Sequence, residues 1–344
     1  MKAVGQTSFS APAVLEVPDV GVLKEGDVRV RMSLSPIGVA EVRALEGHRI
    51  QLMGQVVDRD HPFIFGFAGV GVVEDPGGSD LAVGQRVVVT PYGTCGHCAA
   101  CKAEDETQCE NGRSLAGIDT TCQGMMRERL DVPARRALPL PDTIGDEEGC
   151  YVSEVATAVH LLRRVGFGRG RSIAVVGCGR HGLLTVQVAR AMGASTILGV
   201  DPSDRAQAAT LAAGADTCVA DADGHGDYDV AIHCNSYLAT IEACCRLTRA
   251  QGTVGLLGTP NKDSPDAEIG DFTRLVMERE LKLVSSASKG TASFRVAIDL
   301  MENGMKLDIP DPKRVCVGDA PRQFMDTLAA WPGGRPCFVD LRCP

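Results

Sequence analysis

The chain has 344 residues, of which 44% are hydrophobic, and a formal net charge of −9 at pH 7. This length exceeds the size at which a single hydrophobic core keeps growing, so we expect two domains. The acidic balance, without a basic stripe, argues against nucleic acid or an anionic membrane as a partner. No apolar run approaches the roughly 20 residues of a membrane span, and the first residues lack the apolar region of a signal peptide. We therefore expect a cytoplasmic protein.

The first 150 residues contain short alternating apolar runs, such as DVRVRMSLS and GQRVVVTPY, separated by turn-forming residues. This pattern predicts a compact, mostly antiparallel β domain.

Four cysteines in this segment follow the spacing C-x2-C-x2-C-x7-C: Cys95, Cys98, Cys101 and Cys109. Four thiolates complete a tetrahedral shell around Zn²⁺ and leave no position for water or substrate, which predicts a structural zinc site. Two disulfides or unrelated core thiols are the alternatives, but the polar loop offers no core in which to bury them. The other cysteines of this 14-cysteine chain are expected to be reduced thiols, since we expect no signal peptide.

The chain changes character at about residue 151. We predict a buried strand at Ser172–Val176, a glycine turn, an amphipathic helix ending at Gly193, and a second buried strand at Thr196–Val200. Further apolar strands alternate with helices of 10–15 residues, a pattern typical of a parallel doubly wound sheet. Residues 151–289 are therefore predicted to form a dinucleotide-type domain. Short strands predicted in VCVGDAP and PCFVDLRC would let residues 290–344 complete the first domain.

A glycine-rich turn connects the first predicted strand of this domain to the helix. Gly177, Gly179 and Gly182 match G-x-G-x-x-G, with Arg180 and His181 between the last two glycines. In that context the glycines allow a tight turn, close approach of a diphosphate to the backbone, and close packing of helix and strand. We predict that these five residues bind a dinucleotide. A purely structural glycine turn is the alternative.

Asp201 ends the second strand of the predicted dinucleotide domain. A carboxylate at this point can accept hydrogen bonds from the adenosine ribose hydroxyls and would repel a 2′-phosphate. We therefore predict a preference for NAD(H) over NADP(H). Arg205, one turn further along, is included in the predicted cofactor site because its charge would offset part of that repulsion. A simple surface aspartate is the alternative.

Together these features resemble the zinc-containing medium-chain dehydrogenase/reductase family, the alcohol and polyol dehydrogenases. Five segments occur in the family's order and spacing: SPIGVAEVRALEG, HPFIFGFAGVGVVEDPG, the four-cysteine lobe, the GCGRHG loop with Asp201, and GTVGLLGTP. The resemblance covers essentially the whole chain. It implies an α/β protein with a GroES-like mostly-β domain, a Rossmann domain, an active-site cleft where the two meet, and an NAD(H) cofactor. It also implies a homodimer or homotetramer.

The catalytic zinc motifs of the family are altered in this chain. The family's first ligand is the Cys of C-G-[ST]-D-x-H, and the matching run, GVAEVR at residues 38–43, begins with Gly38. In that run, Ala40 and Arg43 stand at the positions of the proton-relay hydroxyl and histidine. The second ligand is the His of G-H-E-x-x-G, whereas residues 66–69 read GFAG.

The third ligand position of the family aligns with Ser153, or with Glu154 after a shift of one residue. At most one ligand therefore remains, whereas a zinc catalyst needs about three and an open position. A replacement set is an alternative, but its members lack the spacing of a known motif: His48, His61, Cys150 and Glu154.

Without a Lewis acid, oxidation of a simple alcohol loses the metal that lowers the hydroxyl pKa and the relay that exports the proton. We therefore predict an NAD(H)-dependent reductase of an activated small molecule with a C=C, C=N or C=O bond. Side chains would supply polarisation and the proton, and five are candidates: Glu41, Arg43, Tyr151, Ser153 and Glu154.

Arg43 could bind the cofactor diphosphate or a substrate carboxylate or phosphate. The alternative is a surface arginine paired with Glu41 or Glu46. Two other functions stay open for the whole chain. One is an alcohol or polyol dehydrogenase that uses non-standard zinc ligands or an acid/base pair. The other is a non-redox descendant that binds nucleotide.

Overall fold

The computed structural model describes residues 1–47, 54–112, 114–117, 122, 124–258, 269–286, 289–307, 312–329 and 336–343. The chain divides into two compact units. Unit 1 comprises Met1–Ser153 and Ile309–Pro344, and unit 2 comprises Glu154–Asp308. The second division falls later than the boundary near residue 290 that the sequence suggests, because the helix Thr291–Glu302 belongs to unit 2.

Unit 1 is built mainly of antiparallel strands. They are β1 (Lys2–Gln6), β2 (Pro12–Glu16), β3 (Asp27–Ile37), β4 (Phe63–Ile64), β5 (Val70–Asp75), β6 (Arg86–Val89), β7 (Tyr92–Gly93), β8 (Ser114–Leu115), β9 (Arg129–Pro133), β10 (Ala137–Pro139), β17 (Lys313–Cys316) and β18 (Cys337–Asp340). The largest sheet has the order β10-β6-β5-β3-β18-β17, with β9 also paired to β3. Strands β2-β1-β4 form a second sheet and β7-β8 a third. Since β18 pairs with β3, the C-terminal segment completes the largest sheet.

The long strand β3 shows how the sequence produces this sheet. Val28, Val30 and Met32 are buried, whereas Arg31 between them is exposed, as expected for a strand with one face on a core. The core also contains the rings of Phe65 and Phe324, whose centroids are 4.5 Å apart. The helices that contribute to this unit are α1 (Val39–Leu45), α2 (Ala99–Lys102), the first half of α3 (Asp146–Arg164) and α9 (Ala320–Ala329).

Unit 2 is a parallel sheet of six strands in the order β13-β12-β11-β14-β15-β16. The strands are β11 (Ser172–Val176), β12 (Thr196–Val200), β13 (Thr217–Val219), β14 (Tyr228–His233), β15 (Thr248–Leu256) and β16 (Lys282–Ser285). The connecting helices are α4 (Arg180–Ala191), α5 (Asp204–Ala212), α6 (Ala239–Leu247), α7 (Ile269–Glu278) and α8 (Thr291–Glu302). The predicted bounds of β11 and β12 are confirmed, and so is the doubly wound parallel sheet. No described helix has the length and apolar character needed to cross a membrane.

One disulfide corrects the expectation that all cysteines outside the zinc set are reduced thiols. Cys316 and Cys343 are bonded, with their Cα atoms 5.1 Å apart. The parallel pairing of β17 with β18 places Cys316 beside Asp340, and the turn after β18 returns the chain towards Cys316. This proximity depends on strand pairing, so the spacing of the two cysteines in the sequence did not indicate it.

Candidate functional site

The four predicted zinc ligands come together in unit 1. The sulfur atoms of Cys95, Cys98, Cys101 and Cys109 all lie within 4.8 Å of one another. Cys95 Sγ is 3.8 Å from Cys101 Sγ and 3.7 Å from Cys109 Sγ. Tetrahedral zinc with Zn–S bonds of about 2.3 Å requires sulfurs about 3.8 Å apart. These residues therefore fit a structural zinc ion, as the sequence predicts.

The environment of Cys95 favours the thiolate that zinc binds. A side-chain hydrogen bond from Asn111, together with backbone donors, lowers the pKa of Cys95 to about 5. The backbone N–H of Cys98 donates to Cys95 Sγ at 3.4 Å. Hydrogen bonds of this kind orient a metal-bound sulfur in zinc sites and stabilise its charge.

The glycine loop follows β11 in unit 2. Gly177 has a φ of +92°, in the left-handed region that disfavours a side chain. A Cβ on Gly182 would lie 2.0 Å from the carbonyl oxygen of Gly177, so helix α4 packs against the loop closely enough to require glycine. Gly179 is the N-cap of α4, and its neighbours Arg180 and His181 form the first turn. The free N–H groups of this helix N-terminus suit a diphosphate.

Asp201 lies directly at this loop. Its Oδ2 accepts a hydrogen bond from Cys178 N at 2.9 Å, and its Oδ1 accepts one from Ser203 N at 3.0 Å. The predicted specificity carboxylate is therefore held beside the predicted diphosphate site. Arg205 is exposed in the first turn of α5.

Arg180 connects the glycine loop to a predicted catalytic residue. Its Nε donates to Glu154 Oε2 at 2.9 Å, and both side chains are partly exposed. Glu154 lies in α3, and its charge also acts on Lys289, which precedes helix α8. His181 is placed in the same first turn of α4, where its carbonyl oxygen accepts from Thr185 Oγ1 at 2.8 Å.

Sequence reasoning did not identify Lys289. This lysine is only 5% exposed, and its side-chain nitrogen is 5.9 Å from the centre of the Phe294 ring. Burial lowers its pKa to about 7, and the charge of Glu154 opposes that shift. The only available signal was its position shortly after the carboxyl end of a parallel strand, where ligand-binding residues concentrate.

In unit 1, the carboxylate of Glu41 bridges two separate backbone segments. Oε2 accepts from Gly38 N at 2.9 Å, and Oε1 accepts from Phe67 N at 2.8 Å. Glu41 is 2% exposed. Gly38 and Phe67 belong to the two segments in which the resemblance predicts the family's first and second ligand positions.

The neighbouring Arg43 is exposed near the end of α1. Within the described part of the chain it forms no ion pair, so pairing with Glu41 or Glu46 is not seen there.

The other predicted residues of unit 1 are buried in α3. Tyr151 is 7% exposed, and its ring lies edge-on to Phe338 at 5.9 Å. Ser153 is 2% exposed. The structure thus brings Glu154 together with Arg180 in unit 2, and it surrounds Tyr151 and Ser153 with packed side chains.

The replacement zinc set receives little support. Cys150 Sγ donates to the carbonyl oxygen of Leu34 at 3.5 Å, and burial raises the pKa of this thiol well above its usual value. His61 is exposed, with Nδ1 3.1 Å from Asp58 Oδ1. His48 lies outside the described residues. Among the residues that the structure does describe, the four-cysteine cluster is the one grouping of His, Cys, Asp and Glu arranged for a metal.

Two family models match the chain. The alcohol dehydrogenase GroES-like domain matches residues 24–142, and the zinc-binding dehydrogenase model matches residues 182–303. Together they cover more than two thirds of the sequence. The first falls within unit 1 and the second within unit 2.

Curated relatives are about a quarter identical to the chain over the aligned residues. L-idonate 5-dehydrogenase (NAD(P)(+)) of Escherichia coli (strain K12) is 25% identical over 260 residues, which are 72% of this chain and 74% of that protein. Probable D-xylulose reductase A of Aspergillus clavatus is 27% identical over 329 residues, which are 90% of this chain and 87% of that protein.

Solved structures show the same fold. The crystal structure of L-idonate 5-dehydrogenase from Escherichia coli has a TM-score of 0.82 at 19% identity, covering 98% of this chain and 97% of that one. Alcohol dehydrogenase TADH from Thermus sp. ATN1 has a TM-score of 0.82 at 22% identity, covering 99% of both chains. With its two matching domain models, its four-cysteine cluster and its glycine loop, the chain belongs to the zinc-type medium-chain dehydrogenase/reductase family.

Proposed function

We propose that this protein is an NAD(H)-dependent oxidoreductase that reduces an activated small molecule without zinc at the reacting centre. The activated bond is a C=C, C=N or C=O bond. The observation that supports this proposal most directly is the position of Glu41, whose two carboxylate oxygens bind the backbone of two segments that supply zinc ligands in the family.

The cofactor half of the proposal rests on unit 2. NAD(H) supplies the hydride equivalent when it is bound. Gly177, Gly179 and Gly182 provide the tight turn, close approach and close packing that a dinucleotide diphosphate needs. Asp201, beside that loop, would accept hydrogen bonds from the ribose hydroxyls and would repel a 2′-phosphate, so NAD(H) is the expected cofactor.

The zinc-free half of the proposal rests on the donor atoms of unit 1. Gly38 has no side chain, and Phe67 in the second motif is apolar. The carboxylate of Glu41 touches both segments, but each of its oxygens already accepts a backbone hydrogen bond. A catalytic zinc needs about three protein ligands. The residues in these two motifs do not fit one.

Side chains must then polarise the acceptor and move the proton. An activated acceptor has its own electron sink, so it needs less polarisation than a simple alcohol or ketone. Unit 2 holds three charged groups that can serve: Arg180 at the glycine loop, Glu154, which binds it, and Lys289, which the charge of Glu154 attracts. Arg43, exposed in unit 1, is a further candidate for binding a substrate anion.

A polyol dehydrogenase is the second candidate function. The curated relatives are named L-idonate 5-dehydrogenase and D-xylulose reductase, which favours a small hydroxylated substrate. This function would require an acid/base pair, or metal ligands that include residues outside the described part of the chain, such as His48.

We also propose a homodimer or homotetramer. Strand β16 is an edge of the unit 2 sheet among the described strands, with β15 as its neighbour. Its residues Lys282 and Leu283 are exposed, and so is Met277 in the preceding helix α7. An exposed edge strand with apolar neighbours suits pairing with a second copy.

Metal content combined with hydride transfer tests the proposed function. NADH oxidation would be followed with cyclohex-2-enone, a quinone and D-xylulose, before and after treatment with a mild chelator. We expect turnover with the first two acceptors, unchanged by the chelator while one zinc per chain remains. Two results together would favour the polyol dehydrogenase. D-xylulose would be the one acceptor of the three that is reduced, and its reduction would stop when the zinc content falls from two ions per chain to one. NADH binding without oxidation by any acceptor would favour the non-redox alternative.

A further inference from the structure

We propose that Lys289 donates the proton in the reduction, and accepts it in the reverse direction, and that Glu154 is its positioning residue. This inference rests on the proposed function, because it assigns the proton that accompanies hydride transfer.

The position of Lys289 in the sheet places it on the reactive side of the cofactor site. Dinucleotides bind outside the carboxyl ends of the strands, with one mononucleotide half on each side of the point where the strand order reverses. Asp201 follows β12, so the β12 side receives the adenosine half. The other half of the sheet, β14 to β16, is left for the nicotinamide half. Lys289 follows β16 and therefore lies on that side.

Inside unit 2, Lys289 lies near an aromatic ring and within range of the charge of one carboxylate. Phe294, in helix α8, presents its ring 5.9 Å from the lysine nitrogen, and Glu154 in helix α3 contributes an attractive charge. Glu154 is itself held by Arg180, the first residue of the helix after the glycine loop. His160, also in α3, is a further titratable group of this region, with Nδ1 3.2 Å from Ser293 Oγ.

This arrangement suits proton transfer near neutral pH. Burial lowers the pKa of Lys289 to about 7, so both the ammonium and the amine are populated there. A general acid/base works best when its pKa lies near the working pH. Glu154 limits the shift by stabilising the ammonium, and the bond from Arg180 keeps the carboxylate in place.

With a carbonyl acceptor, the hydride from NADH forms a C–H bond as the C=O π bond breaks, and the oxygen takes a proton from the Lys289 ammonium. NADH is oxidised to NAD⁺, the carbonyl is reduced to an alcohol, and the neutral amine regains a proton from water. For a conjugated C=C acceptor, the same proton goes to the enolate that hydride addition produces.

A fixed cation that binds a substrate anion is the competing role for Lys289. Arginine would preserve that role, because it stays charged at all working pH values. It cannot release a proton near neutral pH. Lys289→Arg therefore separates a proton donor from a simple charge, and Lys289→Met removes both.

The kinetic test compares Lys289→Arg, Lys289→Met and Glu154→Gln with a control, Lys306→Met, which changes an exposed lysine of the same unit. We expect both Lys289 variants to lose about 100-fold or more in kcat for cyclohex-2-enone reduction. NADH affinity, measured by fluorescence titration, should not fall in proportion. In the wild type, reduction should weaken as pH rises through about 7. Glu154→Gln should move this decrease in rate to lower pH. Lys306→Met should leave the rate and its pH dependence unchanged.

A spectroscopic test needs no substrate. The chain has eight lysines, so ¹³Cε-lysine labelling gives a tractable spectrum. We expect one resonance to titrate near pH 7, to disappear in Lys289→Arg, and to titrate lower in Glu154→Gln.

The outcomes separate this inference from the proposed function. If the wild type reduces the acceptor but Lys289→Arg keeps its full rate and pH profile, the proton role is wrong and the proposed function stands. The same holds if every lysine titrates near its ordinary pKa. If the resonance titrates near pH 7 and NADH binds, but no acceptor is reduced, the proposed function is wrong and the proton role falls with it.

Discussion

Nε of Arg180 donates a hydrogen bond to Oε2 of Glu154 at 2.9 Å, which joins the first residue of helix α4 to helix α3. The same carboxylate attracts the buried ammonium of Lys289. One acidic side chain thus connects the cofactor loop to the most strongly perturbed lysine among the described residues of unit 2. Groups of this kind, in which burial and a nearby charge oppose one another, concentrate at functional sites.

Replacing Lys289 should stabilise the protein at neutral pH. Its pKa is about 7 in the folded chain and about 10.5 when unfolded, so the unfolded state binds more protons between these values. Burying this lysine therefore lowers the free energy of unfolding by its full amount below pH 7. This loss of stability disappears as pH rises towards 10.5. We expect Lys289→Met to unfold at higher urea concentration than the wild type at pH 7, with a smaller difference at pH 10. A Met variant that is less stable at pH 7 would contradict the burial penalty.

Each chain should retain one zinc ion. The four sulfurs have the spacing of a tetrahedral zinc site, and structural sites contribute directly to folding. Metal analysis of chelator-washed protein should give one equivalent, and Cys101→Ser should lower that value together with the melting temperature. Cys218→Ser, which changes a free cysteine of unit 2, is the control. Two retained equivalents would reveal a second metal site.

NADH should bind more tightly than NADPH. The Asp201 carboxylate would repel a 2′-phosphate, and Asp201→Asn removes that charge while keeping an acceptor for the N–H of Cys178 or Ser203. We expect the dissociation constant of NADPH, divided by that of NADH, to fall on the order of tenfold in the variant. Fluorescence titration with each nucleotide measures both. Equal affinities in the wild type would show that Asp201 does not select the cofactor.

Glu41 should stabilise unit 1 through its two backbone hydrogen bonds. Glu41→Ala leaves the buried N–H of Gly38 and that of Phe67 without this acceptor, which costs about 2 kcal/mol or more of the free energy of unfolding. Glu46→Ala, an exposed glutamate at the end of the same helix, is the control. Added Zn²⁺ should not restore the lost stability, and restoration would mean that a metal can bind these segments.

The Cys316–Cys343 bond should stabilise the oxidised chain. It closes a loop with a sequence separation of 27, for which the chain-entropy model gives about 3–4 kcal/mol. Cys316→Ser and Cys343→Ser should each lower the melting temperature, and the double variant should match the single ones. If the two losses add, each cysteine acts by itself and the bond does not form in solution.

The sequence by itself determined the features that depend on contiguous residues. The apolar runs at Ser172–Val176 and Thr196–Val200 form strands because each is buried and flanked by turn-forming residues. The glycine loop has its conformation because Gly177 needs a positive φ and Gly182 has no room for a side chain. The four-cysteine cluster was equally predictable, since its ligands lie within one short loop.

Tertiary structure decided everything that joins distant segments. The sequence names Glu41 as a candidate catalytic residue, and only the fold reveals that its oxygens bind the N–H groups of Gly38 and Phe67. Phe67 is 26 positions away from Glu41 in the chain. Lys289 became a candidate only when the fold buried it and placed it near Glu154. Composition and spacing report which groups a chain contains. A pKa and a hydrogen-bond partner depend on burial and neighbouring charge, which exist only after distant segments have packed together.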